Sequence, residues 1–207
     1  LASPPWVVSV QPMMLLAPPV GGLRMGMEKT FGKTFGIGTE LSYRAIQLPG
    51  QFREPGETDR MTGLQLQPEL RWYLGPSGRR KIPWRSSFGA RLGWSGYSTD
   101  VRNWIFLTDG SGNGYRKLLG YRRQQRNYDI SLLWNYRIPF DREGTGFGME
   151  IFMGIGIRVK RFEYRDISPE LDADNLRAQD ASRMFSLRRD GTYPLLPVGF
   201  RLYRMLR

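Results

Sequence analysis

The chain has 207 residues, of which 31 are Lys or Arg, 19 are Asp or Glu, and none is His or Cys. A chain without His or Cys cannot form Ser-His-Asp or Cys-His catalytic sites, thiolate or imidazole metal sites, or disulfides. The chain contains no run of about 18 apolar residues, so no transmembrane helix is predicted. The 25 Gly and the 13% of aromatic residues favour short strands joined by glycine turns.

Alternation of apolar with small or charged residues predicts strands, because successive side chains of a strand point to opposite faces. The alternating stretches are, in chain order, 8–16, 23–28, 35–44, 64–74, 88–95, 128–137, 147–160 and 198–203. The seventh stretch has the longest apolar face, and an ordinary soluble strand seldom needs one so long. This face consists of Phe147, Met149, Ile151, Met153, Ile155, Ile157 and Val159. Eight strands suit the smallest membrane barrel.

The other face of these strands carries glycines and charges of both signs. A soluble lipocalin-like barrel turns its apolar face inward, whereas an outer-membrane barrel turns it to lipid and keeps the charges inside. We therefore predict a single domain over 1–207, an all-β, eight-stranded antiparallel up-and-down transmembrane β-barrel. We expect a salt-bridge network in its lumen, formed by Arg24, Glu40, Glu69, Arg71, Arg91, Glu150 and Arg158. Interfacial aromatic girdles would contain Tyr43, Trp72, Trp94, Tyr128, Trp134 and Tyr136.

The lengths of the connections predict an orientation. Those after the second and sixth strands are short, at about 29–34 and 139–146. Those after the third, fifth and seventh strands are long, at about 47–61, 99–126 and 163–193. Because bacterial barrels have short periplasmic turns and long outer loops, we expect the cell outer membrane, with both termini periplasmic and the long loops extracellular.

Four segments carry a resemblance to a known family: VQPMMLL at 10–16, GLRMGME at 22–28, LQPELRWYL at 66–74 and MEIFMGIG at 149–156. Together they resemble the small, largely uncharacterised outer-membrane β-barrel proteins that are abundant in Bacteroidota. The likeness extends over nearly the whole chain at the level of pattern. It implies a fold and a location, and it brings no catalytic residues with it.

Several motifs do not support a ligand site. The run DGSGNG at 109–114 half-matches a calcium loop, but the twelfth position is Gly120 where a bidentate Glu is needed. The basic clusters at 79–81 and 122–123 lie in predicted connections rather than on one continuous face, so we expect no binding of nucleic acid. We predict no metal and no cofactor.

The sequence favours a non-enzymatic structural or accessory subunit of an outer-membrane complex that displays extracellular loops. One alternative is an outer-membrane lipid-modifying enzyme, in which arginines would keep the candidate acids Glu40, Glu69 and Glu150 ionised. Another is a narrow small-solute channel, although side chains fill a lumen of eight strands. We predict that the protein is not an enzyme.

The predicted loop 99–126 is unusually apolar. Its candidate partner-contact residues are Trp104, Phe106, Leu118, Leu119 and Tyr121. Apolar clusters of this kind mark interaction surfaces, so we expect outer-membrane proteins as partners, besides outer-membrane lipids including lipopolysaccharide. The alternative is that these residues cover the mouth of the barrel.

Overall fold

The part of the chain that the structure describes is antiparallel β-sheet. A computed structural model describes residues 6–11, 22–32, 34–47, 58–74, 86–108, 111–140, 146–167 and 190–206. Within them lie strands β1 (Trp6–Val10), β2 (Leu23–Phe31), β3 (Phe35–Gln47), β4 (Thr58–Leu74), β5 (Ser86–Thr108), β6 (Gly114–Pro139), β7 (Phe147–Arg165), β8 (Gly191–Leu195) and β9 (Val198–Leu206). No helix in these ranges is long and apolar enough to cross a membrane. The all-β prediction is confirmed.

Backbone hydrogen bonds close the sheet into a ring of eight strands. Strands β1 to β7 each pair with the next in sequence, β7 also pairs with β9, and β9 pairs with β1. β8 continues the register of β9 along the same edge of β7, with Leu195 opposite Gly156 and Val198 opposite Met153. The interruption falls at Leu196 and Pro197, where proline has no N–H to donate.

The faces of the ring are the reverse of those of a soluble protein. On β6, Ile130 and Leu132 are 57% and 64% exposed, whereas the adjacent residues Asp129 and Ser131 are buried. The same alternation gives the ring an apolar exterior, here called the outer belt. It includes Leu23, Met25, Met27, Ile37, Leu41, Leu64, Leu66, Leu70, Leu92, Ile130, Leu132, Ile151, Met153, Ile155, Ile157 and Leu202. The interior is predominantly polar and charged.

Aromatic side chains border the outer belt. At the end of the ring with the short β2–β3 connection, one row of cross-strand partners joins Phe35, Trp72, Phe88 and Trp134. Towards the opposite end, Trp94 is paired with Tyr128, and Tyr43 with Leu64. All of these side chains are exposed on the exterior face.

The connections differ in part from the prediction. The short β2–β3 connection contains Gly32, whose φ of 62° favours glycine. β3 continues to Gln47 and β4 begins at Thr58, so strands occupy both ends of the predicted loop 47–61. β7 likewise continues to Arg165 and β8 begins at Gly191. Residues 48–57 and 168–189 of these two loops, and positions 12–16 of the predicted first strand, lie outside the described residues.

The prediction of a long loop over 99–126 is wrong. β5 and β6 stay paired from Ser95 and Asn127 up to Thr108 and Gly114, which leaves a connection of only 109–113. We call residues 96–108 and 114–126 the hairpin extension. Antiparallel pairing satisfies the backbone hydrogen-bonding groups of this segment. Apolar residues at alternate positions pack together on one of its faces, so the segment forms a regular hairpin rather than an irregular loop.

Candidate functional site

Eight charged side chains fill the middle of the ring and form what we call the interior network. They come from seven of the strands, and each is at most 5% exposed. The four acids are Glu28, Glu40, Glu69 and Glu150, and the four bases are Arg71, Arg91, Arg137 and Arg201. Their formal charges cancel, which is the condition under which buried charges are tolerated.

Glu150 on β7 lies among three of these arginines. Its Oε2 atom accepts hydrogen bonds from Arg71 Nη1 at 2.8 Å and from Arg137 Nε at 2.7 Å. Its Oε1 atom lies 2.8 Å from Arg201 Nε. One carboxylate thus joins side chains from β4, β6 and β9, strands that lie on different sides of the interior.

Glu69 on β4 has a similar set of partners. Arg71 Nε and Arg91 Nη2 donate to its two oxygens at 2.8 Å and 2.6 Å. Arg91 Nε and Asn135 Nδ2 each donate a further hydrogen bond at 3.1 Å. The hydrogen bonds from the two arginines are charge-assisted, because a guanidinium donates to a carboxylate.

The remaining acids extend the interior network in two directions. Glu28 accepts from Arg137 and from the Tyr73 hydroxyl, and its Oε2 atom lies 2.9 Å from Arg71 Nη1. Glu40 accepts from Arg201. A cavity lined by seven of the eight members, all except Arg91, measures about 20 Å³, which is room for a single water molecule. The interior network is therefore a packed plug.

The structure places the seven predicted lumen residues in three groups. Five of them belong to the interior network: Glu40, Glu69, Arg71, Arg91 and Glu150. Arg24 lies at its margin, 3.8 Å from Glu40. Arg158 is separate and forms a two-pronged pair with Asp129, with both N···O distances 2.7 Å.

Sequence reasoning left Glu28, Arg137 and Arg201 out of the predicted network. The period of two places all three on the inward face, but an inward position does not by itself identify which charged side chains meet. The chemistry open to the acids is limited because each is paired with arginine. The described residues contain no group of three His, Cys, Asp or Glu that could hold a metal ion.

The predicted partner-contact residues divide between the two faces of the hairpin extension. Leu119 and Tyr121 are buried in a cluster with Val101 and Ile105, against which Leu107, Tyr164 and Ile167 pack. Trp104 and Leu118 are cross-strand partners on the other face and are half-buried. Phe106, on the same face, is 61% exposed.

Exposed ion pairs surround the base of the hairpin extension. Arg122 Nε donates to Asp100 at 2.8 Å, and this hydrogen bond raises the pKa of Arg122. Glu163 on β7 lies 2.9 Å from Arg165 and 3.6 Å from Arg126. The outward face of β5, β6 and β7 therefore changes from apolar to charged at this level.

No protein-family model matches the chain, and no curated protein matches it. Function has to be inferred from the outer belt, the interior network and the hairpin extension.

Proposed function

We propose that the ring is a transmembrane β-barrel of a bacterial outer membrane. The observation that carries this proposal is the combination of an exposed apolar exterior with a buried, charged interior. Soluble monomers rarely expose continuous apolar patches larger than a few hundred Å², whereas a membrane barrel needs such a surface all round. Closure of the ring also leaves few unpaired backbone groups, which lipid would penalise by several kcal/mol each.

The height of the outer belt supports the same proposal. On β6 the outward apolar positions extend from Tyr128 to Ile138. With a rise of about 3.4 Å per residue and a strand tilt of about 40°, this segment covers about 25 Å along the axis, the height expected of the lipid-facing band. The aromatic rows then lie at the two interfaces, where Trp and Tyr are favoured.

The orientation follows from the unequal ends of the ring. The β2–β3 connection is short, and Trp6 and Leu206 are paired at the same end. The hairpin extension lies at the opposite end. By the usual arrangement of bacterial barrels, we place the short connections and both termini in the periplasm and the hairpin extension outside the cell. Family membership, suggested by the four motifs of the sequence, is part of this proposal.

Within the membrane we assign the protein a non-enzymatic role, as an accessory subunit of an outer-membrane complex. The interior network blocks the middle of the ring and disfavours a channel, and its acids are committed to arginines rather than free for acid–base chemistry. Exposed Phe106 and the half-buried pair Trp104 and Leu118 offer an apolar surface on a hydrogen-bonded ribbon. Aromatic residues on such surfaces are frequent anchors of protein interfaces. Outer-membrane proteins are the partners that this location provides, beside lipids including lipopolysaccharide.

Refolding tests the membrane assignment. The full chain, unfolded in urea, is diluted into liposomes or into detergent-free buffer, and the folded fraction is measured by circular dichroism. We expect folding in liposomes and aggregation in buffer. A folded, soluble monomer in detergent-free buffer would overturn the assignment.

Purification from outer membranes in mild detergent tests the accessory role. We expect the wild-type chain to retain an outer-membrane protein that the double variant Trp104→Ser/Phe106→Ser loses. Phe140→Ser is the matched control, because Phe140 is 65% exposed and lies near the other end of the ring. Equal retention by both variants, or no outer-membrane protein bound to the wild type, would reject the role.

A further inference from the structure

A second interior cavity lies between the interior network and the end of the ring that carries the hairpin extension. Its volume is about 350 Å³, within the range of small-molecule sites. Four arginines line it, and no acid is among its described lining residues: Arg24, Arg44, Arg91 and Arg158. An interior that is neutral at its middle is therefore strongly cationic at this level.

Two of these arginines have carboxylate partners outside the cavity lining. Arg91 binds Glu69 and Arg158 binds Asp129. The other two are not neutralised in this way. Arg24 has one carboxylate nearby, that of Glu40, and its Nη1 atom lies 3.8 Å from Glu40 Oε2, which is longer than a hydrogen bond. Among the described residues Arg44 forms no ion pair, and its guanidinium lies over the Tyr97 ring at 5.3 Å. Among the described residues, Arg24 and Arg44 thus bring about two positive charges in excess of the acids near the cavity.

Within the part of the chain that the structure describes, several buried donors of this cavity have no hydrogen-bond partner, and neither has one buried acceptor, Gln67 Oε1. Arg24 donates to Gln11 and Gln65 through its Nη atoms, but its Nε has no acceptor, and neither has the Nε of Arg44. The Nε2 atom of Gln11 is also without an acceptor, although this side chain is only 7% exposed. Buried donors are almost always satisfied, so a group of unsatisfied ones around a cationic cavity calls for an acceptor-rich ligand.

We propose that this cavity binds the phosphate group of an organic phosphate. The planar guanidinium groups of Arg24 and Arg44 can each give two donors to phosphate oxygens, and Gln11 can add an amide donor. Phe152, Leu195 and Pro197 supply an apolar wall opposite them, which fits the organic part of the ligand rather than a free inorganic ion. The site is a property of the folded ring and goes beyond the proposed accessory role.

The organic phosphate has two sources with the same chemistry, a soluble phosphate ester or the head group of a lipid. Phenyl phosphate serves as the soluble probe, and dihexanoyl phosphatidic acid as the lipid probe below the concentration at which it forms micelles. Both are titrated into the full chain folded in a detergent with an uncharged sugar head group. Calorimetry gives the affinity, and the melting temperature gives a second measure of binding.

We expect saturable binding of phenyl phosphate, with a lower affinity for inorganic phosphate. Arg24→Gln and Arg44→Gln should each reduce the affinity about tenfold or more, because each removes charge-assisted hydrogen bonds. Arg60→Gln is the control, since Arg60 is exposed on β4 and should leave the affinity unchanged. Tighter binding of the phosphatidic acid assigns the site to a lipid head group, and tighter binding of phenyl phosphate assigns it to a soluble ester.

Two results would overturn the proposal: no saturable binding of either probe to the wild type, or equal affinities in the wild type, Arg24→Gln and Arg44→Gln. If a glutamine variant fails to fold, Arg24→Lys and Arg44→Lys replace it. Lysine keeps the charge but loses the planar fork, so binding should weaken without being abolished. Failure of this site would leave the membrane and accessory assignments intact, because neither depends on it.

Discussion

Arg137 Nη2 donates a hydrogen bond of 2.6 Å to Glu28 Oε2, between residues 109 positions apart in the chain. These residues lie on β6 and β2, which are not neighbours in the ring. The contact therefore crosses the interior, and it constrains the shape of the ring in a direction that the strand-to-strand hydrogen bonds do not.

The first prediction concerns the energetic coupling of this pair. Glu28→Gln and Arg137→Met should each destabilise the detergent-folded protein, because each removes one of the partners of a buried charge. The double variant should lose less than the sum of the two, with a coupling of about 0.5–3 kcal/mol. Urea unfolding of the four proteins measures it. Additive losses would show that the contact contributes nothing of its own.

The second prediction compares a buried acid with an exposed one. Glu69→Ala should lower the free energy of unfolding by about 3–5 kcal/mol, because Arg71 and Arg91 would remain buried without it. Glu163→Ala, which removes only exposed ion pairs, should cost at most about 1 kcal/mol. Denaturant titration of both variants in the same detergent checks the difference. Similar losses would mean that the interior network is not a stabilising plug.

The third prediction concerns the outer belt. Met153→Arg should cost about 2–4 kcal/mol for folding into liposomes, because it places a charge at the middle of the bilayer. Val159→Arg, on the same strand and face but near the end of the outer belt, should cost about 0–1 kcal/mol. Met153 is 48% exposed, so an arginine there would be harmless if the exterior faced water. Equal stabilities of the two variants in liposomes would contradict a membrane position for this face.

The fourth prediction concerns packing on the interior face of β7. A Cβ atom on Gly154 would collide with the backbone oxygen of Leu132 and the side chain of Leu133. Gly154→Ala should therefore destabilise the ring by about 1–3 kcal/mol. At Gly120 the nearest atom to a new Cβ would be the Val101 oxygen at 3.8 Å, so Gly120→Ala serves as the control. Melting temperatures of the two variants distinguish a steric effect from a general loss of glycine.

The sequence predicted which face each side chain takes but not which side chains meet. Period-two alternation placed Glu69, Glu150 and Arg71 on the inward face, and they lie there. It could not identify contacts such as that between Arg137 and Glu28, because these depend on the stagger of strands around the closed ring. A short-range pattern contains no information on that stagger.

The hairpin extension shows a different failure. Charges and glycines within 99–126 weaken the alternation, so the segment resembles a loop when it is read one strand at a time. Cross-strand pairing makes the segment a hairpin. Val101 lies opposite Tyr121, and Ile105 and Leu119 are buried with them on the same face. Such a cross-strand cluster becomes visible only when the register of both strands is known.

Closure of the ring has a consequence for biosynthesis. Trp6 on β1 is the cross-strand partner of Leu206 on β9, so the two ends of the described fold must meet before the ring is complete. Until β9 has been synthesised, the growing chain has two open edges ready to pair with other chains. Pairing of β1 with β9 is then slow, because it joins the two ends of the fold and closes the longest loop of chain. A chain of this design needs protection from aggregation between the ribosome and its final location, and truncation before β9 should be far more harmful than an insertion of equal length at residue 110.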